Sequence, residues 1–340
     1  MSGFFTQSFP PEPKFTEDSI CNSLAGKVFL VTGGYSGVGF ALSKILWAKG
    51  GRVIIVGRDE AAYEAAKTLI EAAPTSFYST QNPRAGSLEF CKVDLADLTT
   101  IKPAIETLLT TLDRLDVAWY NAGVMHSPAG STTKQNLELQ WGINVVAHFA
   151  LHKMLIPILN KTAASEKSGT VRTVWVSSLM SFRSPKPYGI NFEDVNYRST
   201  KGASSLKYGQ SKAAAVILAH EYAKRAKEEA LIGEDGAKKP AVVSVSANPG
   251  NLKTNLQRHQ NVVLRTLSNA ILLYPQRLGG YTELFAGLSP QIGEEDFNGQ
   301  FVIPFGRKGK MCRSIETGLK EADTGKKLWD MLEEEVKPYI

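Results

Sequence analysis

Short apolar runs that alternate with stretches of helical character set the architecture of this chain before any other feature does. The runs cover residues 28–32, 52–56, 88–93, 117–120, 171–176 and 242–247, with a seventh at 301–303. Between them, 38–49, the stretch beginning at Glu60, 97–112, 136–159 and 208–230 read as helices. Asp59 stands where the second of these needs an N-cap. Strands that are apolar throughout must be covered on both faces, and alternation with helices is how a parallel sheet achieves that. The expected fold is α/β, a doubly wound, seven-stranded, mostly parallel sheet with helices on both faces. Ligands of such sheets bind beyond the carboxyl ends of the strands.

The first run ends in T-G-G-Y-S-G-V-G-F, Thr32 to Phe40. Gly33, Gly37 and Gly39 carry the spacing G-x-x-x-G-x-G, with Ser36 and Val38 between them. Phe40 occupies the place where a P-loop needs lysine. A glycine turn between a strand and a helix is the context of a dinucleotide loop. Glycine lets the backbone approach a pyrophosphate closely, and the helix start behind it offers free N–H groups and a positive dipole end. A cofactor with a free ribose 2′-OH wants an acidic residue at the end of the second strand. This chain has Gly57 and then Arg58 there. A permanently charged guanidinium forks onto phosphate oxygens, so NADP(H) is expected rather than NAD(H).

Tyr208 and Lys212, in Y-G-Q-S-K, share one helical face. A phenol of pKa about 10 is a poor base at neutral pH, and a neighbouring ammonium favours its phenolate. Such a pair can give or take a proton. The spacing alone is not specific, because Tyr63–Lys67 and Tyr197–Lys201 repeat it. Tyr63 lies near the adenine end and reads as a surface residue. Tyr197 is followed by T-K-G-A-S-S, without helical periodicity. Tyr208 opens a long helix with small residues at 213–215 and is preferred, with Tyr197 as the rival.

With these pieces in order, the chain resembles the short-chain dehydrogenase/reductase family over roughly residues 24–303. The resemblance rests on the glycine loop, Asp94 in V-D-L, N-A-G at 121–123 and Asn144 in the long helix. It continues through V-S-S at 176–178, Y-G-Q-S-K at 208–212 and N-P-G at 248–250. I-N-F-E-D-V-N before the tyrosine and S-K-A-A-A-V-I-L-A-H-E-Y-A-K-R after it look like the retinol dehydrogenase and WW-domain oxidoreductase branch. The overall make-up is similar to fungal reductases of secondary metabolism. The resemblance implies a Rossmann-type fold and a tetrad of Asn144, Ser178, Tyr208 and Lys212. In it Ser178 holds the substrate oxygen, Lys212 also grips the nicotinamide ribose, and Asn144 orders a water. Ser177 is the rival of Ser178, since neighbouring strand residues face opposite ways. The resemblance further places Asp94 at the adenine, Asn121 and Gly123 beside the cofactor, Lys153 near it, and Leu252 and Thr254 at the carboxamide and phosphates. Tyr35 replaces a smaller residue and is expected either in solvent or flanking the adenosine.

Composition narrows the remaining classes. The net charge of +6 is scattered among 33 acidic residues, so no nucleic-acid partner is expected. No run of 18 apolar residues appears, so no transmembrane segment is expected. Three distant cysteines, Cys21, Cys91 and Cys312, show no metal or disulfide spacing and fit a cytoplasmic setting. Five histidines lack metal spacing and read as packing or surface residues. Residues 1–23 read as an arm in which three prolines oppose helix, and 24–340 as a single domain. The apolar region 261–288 suits helices covering a pocket, hence a hydrophobic carbonyl or alcohol substrate; core packing explains it equally. A homo-oligomer is compatible with the sequence. The alternatives are a non-catalytic NADP-binding sensor or scaffold, and membrane association through 262–274.

Overall fold

All seven runs become strands of one sheet. The computed structural model describes residues 2–20, 23–72, 86–199, 202–229, 231–232, 238–239, 242–253, 273–294 and 297–340. In it β1 is Val28–Thr32, β2 Arg52–Gly57, β3 Ser87–Lys92, β4 Val117–Tyr120 and β5 Arg172–Val176. After a small separate hairpin of β6 (Leu231–Ile232) and β7 (Lys238–Lys239) come β8 (Val243–Ala247) and β9 (Phe301–Ile303). With β10 (Arg307–Gly309) the sheet has eight strands rather than seven, in the order β10-β9-β8-β5-β4-β1-β2-β3. The added β10 is antiparallel to β9. Arg-Lys-Gly carries no apolar pattern; backbone pairing at a sheet edge makes it a strand, which side-chain periodicity does not report. The other pairings in this sheet are parallel.

Alternate residues of each strand feed two cores. Leu30, Ile54, Ala118 and Trp175 pack with Phe149, Leu151, Val216 and Leu328. Phe29, Val31, Ile55 and Trp119 pack with Leu42, Leu46 and Leu284. The period of two along the strand is thus what divides the helices between the faces. The helices are α1 (Ser2–Ser8), α2 (Gly37–Ala48), α3 (Glu60–Glu71), α4 (Ile101–Leu109), α5 (Leu139–Ala163) and α6 (Ser204–Glu228). Then follow α7 (Gln276–Leu288), α8 (Arg313–Glu321) and α9 (Thr324–Val336). Asp59 caps α3, accepting from Ala62 N at 3.0 Å.

Three features depart from expectation. The N-terminal segment does contain a helix, α1, because the prolines begin only at Pro10, after its last turn. Tyr63 is 3% exposed, not a surface residue: its hydroxyl donates to Leu88 O at 2.9 Å and its ring stacks on Phe90. Helix α5 is long and apolar enough by composition to cross a membrane, but 78% of that window is buried in the fold, where it serves as core.

Candidate active site

The glycine loop joins β1 to α2 at the carboxyl edge of the sheet, where the strand order reverses beside β1 and β4. Gly33 and Gly37 have positive φ, 66° and 59°. A Cβ on Gly39 would stand 2.5 Å from Asn121 Nδ2 and 2.8 Å from Gly33 O, so only glycine closes this turn. Asn121 Nδ2 in turn donates to Thr32 O at 2.8 Å. Ser36 is the N-cap of α2 yet makes no side-chain capping bond, and Val38 is buried in the first turn. The first-turn N–H groups therefore remain for an anion, which fits a pyrophosphate.

Beyond the carboxyl end of β2 lies an open cleft. A Cβ on Gly57 would fall 2.2 Å from Tyr35 Cε1, so the Tyr35 ring lies against Gly57 at the strand end. Arg58, Asp59, Lys92, Asp94 and Thr99 line an open cleft of about 890 Å³ there. Asp94 Oδ1 accepts from Ala96 N at 3.0 Å, which fixes the turn after β3. Lys92 is a second cation on this cleft that the sequence reading passed over. Parallel register pairs it with Gly57, a relation visible only once β2 and β3 are aligned.

The second and third turns of α6 bring Tyr208 and Lys212 under the same edge. Lys212 Nζ lies 5.7 Å from the Tyr208 ring centre and donates to Val176 O at 2.9 Å. Ser178 acts on the Tyr208 phenol in the direction that favours the phenolate, and its Oγ also accepts from Met180 N at 3.2 Å. Ser177 faces the other way, its hydroxyl donating to Lys212 O at 2.7 Å. The pleat thus separates the two serines and leaves Ser178 with the tyrosine. Asn144 sits in a π-turn, Gly142–Val146, inside α5. Its Oδ1 accepts from Val124 N at 2.9 Å, while Nδ2 donates to Val124 O and Ser211 Oγ, each at 3.0 Å. A π-turn frees and redirects backbone groups and recurs at functional sites. A Cβ on Gly123 would lie 3.1 Å from Asn144 Oδ1 and 3.4 Å from Lys212 Nζ, which places the N-A-G turn against both.

Burial governs the electrostatics. It pushes the Tyr208 phenol up to about 12, against the smaller opposing effect of the Ser178 hydrogen bond. The Tyr208–Lys212 spacing predicts a lowered phenol; in the protein by itself desolvation of the phenolate raises it instead. Burial also pushes Lys212 down to about 8, with the field of Glu283 on α7 acting in the opposite direction.

Other candidates fall elsewhere. Tyr197 is held in the insertion before α6, its hydroxyl donating to Gln210 Oε1 at 3.3 Å rather than meeting Ser178. Lys153 pairs with Glu333 of α9 and lies over Trp329, so its ammonium is not joined to the tetrad. Leu252 is 6% exposed, bridges to Tyr274 and reaches the space a Gly279 side chain would take. Thr254, Cys21, Lys201, His259 and most of 262–274 lie outside the described residues. Among the described residues no group of three His, Cys, Asp or Glu can hold a metal.

His148 is the site-linked residue the sequence reading missed. It is 1% exposed, with Nε2 3.0 Å from Thr32 Oγ1 and Nδ1 3.3 Å from Asn144 O. Its place four residues after Asn144 on one helix was the available signal.

A glycine turn open to an anion and the cluster of Ser178, Tyr208, Lys212 and Asn144 meet at one sheet edge, an arrangement that suits a nicotinamide-dependent oxidoreductase. The family profile described as short chain dehydrogenase matches residues 27–261, and the chain belongs to that family. It is 37% identical to a short-chain dehydrogenase/reductase of Phomopsis amygdali, over 99% of this chain and 97% of that one. It is 39% identical to the short-chain dehydrogenase/reductase pkfC of Emericella nidulans, over 96% and 98%. Among solved structures it is similar to a protein from Mycobacterium paratuberculosis at 25% identity, with TM-score 0.65, covering 95% of this chain and 97% of that one. The fold is shared with the Pseudomonas aeruginosa RhlG/NADP complex, at 22% identity and TM-score 0.59, covering 82% and 95%.

Proposed function

We propose that this protein is an NADP(H)-dependent reductase or dehydrogenase acting on the carbonyl or alcohol of an apolar small molecule, in secondary metabolism. The observation that carries the reading is the cluster itself: Lys212 Nζ lies 5.7 Å from the Tyr208 ring centre and donates to Val176 O, two residues before Ser178, with Asn144 and Gly123 packed beside it. Arg58, with Lys92 across the cleft, supports a 2′-phosphate over a free hydroxyl. Full-length similarity to fungal short-chain dehydrogenases/reductases supports the metabolic setting. Cys91 and Cys312, buried as free thiols, suit a reducing, cytoplasmic compartment. Residues 24–340 work as one catalytic unit, with the described residues 2–20 as an arm laid on it.

A bound nicotinamide supplies or takes the hydride. Ser178 Oγ donates to the substrate oxygen as charge develops there. Tyr208 gives its phenolic proton to that oxygen in reduction and takes it back in oxidation. Lys212, as the ammonium, stabilises the phenolate this leaves. Asn144, locked to Val124 by two hydrogen bonds, keeps the helix open at its π-turn beside Lys212. Gly33 to Gly39, Arg58, Asp94, Asn121, Gly123 and Leu252 form the side that would hold the dinucleotide.

The test is a panel of aliphatic, aromatic and cyclic ketones, aldehydes and alcohols, followed by reduced-nicotinamide absorbance with both phosphorylated and unphosphorylated cofactor. Turnover with an NADP(H) preference supports the reading. Confirmed NADPH binding with no turnover across the panel would favour a sensor.

A further inference from the structure

The N-terminal helix is built into the edge of the site. Gly3 and Gln7 lie one turn apart on its inner face. Gln7 is 2% exposed, and its Oε1 accepts a 2.8 Å hydrogen bond from Asn248 Nδ2, itself on a residue 1% exposed. Asn248 is the first residue after β8 and opens N-P-G. Ser177 N donates to Ala247 O at 2.7 Å, so Asn248 leaves the sheet beside the end of β5, next to Ser177 and Ser178. At the other end of α1, a Cβ on Gly3 would stand 3.3 Å from the Phe182 ring. Phe182 belongs to the 3-10 turn Leu179–Arg183 that starts directly after Ser178. The helix therefore spans the two loops that leave β5 and β8, the first of which carries Ser178.

Further contacts fix it there. Arg307 Nη2 donates to Thr6 O at 2.7 Å and the Tyr274 hydroxyl to Ser8 O at 3.3 Å. Along the arm, Phe15 meets Phe285 edge-on at 5.8 Å and Glu17 pairs with Arg277. Burying two amide side chains is costly unless they bond to each other, so the Gln7–Asn248 pair selects one position for the helix. Phe4 and Phe5, 54% and 61% exposed, ride on this anchored helix and pack edge-on against each other.

We infer that α1 is a fixed wall on the substrate side of the catalytic site. Gln7 is a positioning residue that acts through Asn248. It sets how open the nicotinamide end is to solvent and which apolar substrates enter. The inference rests on the oxidoreductase reading above, and its test has a readout that does not need a substrate.

The full chain, Gln7→Ala and a chain lacking residues 2–9 are compared, each loaded with NADPH. Acrylamide quenching of bound NADPH fluorescence should rise about threefold in both variants, with the NADPH dissociation constant within about twofold. Amide exchange at 179–184 and 248–250 should quicken in both. Unchanged quenching and exchange in the two variants overturns the inference. If the full chain binds no NADPH, the cofactor reading fails instead, and exchange in the unloaded proteins decides about α1 by the same criterion. A truncated chain that does not fold, together with a Gln7→Ala protein that exchanges like the parent, also overturns it. Once a substrate is in hand, truncation should raise KM more than it lowers kcat.

Discussion

The Thr32 hydroxyl lies 3.0 Å from His148 Nε2 and also accepts the Ala122 N–H at 2.8 Å. One buried oxygen thus ties the strand before the glycine loop to the N-A-G turn and, through His148 Nδ1, to the backbone of Asn144. Neutral imidazole suits this place, with Nδ1–H donating to Asn144 O and Nε2 accepting from Thr32. Losing the bridge would let the π-turn shift relative to Lys212. His148→Leu should lower kcat by about tenfold, the scale of a small misplacement at a reacting centre. The NADPH dissociation constant should move by about threefold at most. Parental turnover in a folded His148→Leu protein would remove His148 from the catalytic framework.

Tyr208→Phe removes the proton carrier but keeps the ring. Turnover should fall by about two to four orders of magnitude while NADPH still binds, as monitored by fluorescence titration. Tyr197→Phe, which loses only a 3.3 Å bond to Gln210, should retain most activity. The reverse pattern would move the catalytic assignment to Tyr197.

Acid should unfold this protein through its two buried histidines. Burial pushes His148 and His152 each down to about 3. Between the unfolded value of about 6.5 and the folded one, the unfolded chain binds protons that the native state refuses. Stability therefore falls as pH drops through that window, by about 1.4 kcal/mol per pH unit for each group, and is unaffected by them above it. Urea midpoints measured from pH 7 to pH 4 should show this slope, and His152→Leu should flatten it. An equal slope in parent and variant would mean that His152 is protonated in the native state.

Arg58→Ala should raise the NADPH dissociation constant about tenfold and leave NADH nearly unchanged, the loss expected for one guanidinium–phosphate contact. Lys92→Ala should act in the same direction with a smaller effect. Equal losses for both cofactors would mean that the cleft does not read the 2′ position.

Much of the fold was legible because it rests on local chemistry. Continuous apolar runs such as 28–32 and 171–176 declare buried parallel strands, and Asp59 declares a helix start. The N-cap bond to Ala62 spans three residues, so it needs no tertiary context. Strand β10 was not legible, since Arg-Lys-Gly becomes a strand only by pairing with β9. Nor was α1, whose place depends on Asn248, 241 positions away in the chain.

The candidate site divides in the same way. From Thr32-to-Phe40, Arg58 and the Tyr208–Lys212 spacing, the sequence by itself determined a glycine turn between a strand and a helix, a cation just after the second strand and a tyrosine and lysine on one helical face. Three tyrosine–lysine pairs satisfied the same spacing, and two serines competed for one role. Only the tertiary structure shows how differently they are placed: just past β5, Ser177 turns toward Lys212 O and Ser178 stands on the Tyr208 side, while Tyr63 and Tyr197 bond elsewhere. It also decided that Lys153 faces Glu333 and that His148 faces Thr32. The physical reason is that spacing along a helix or strand fixes a residue's face, whereas partners and burial depend on which distant element packs against that face.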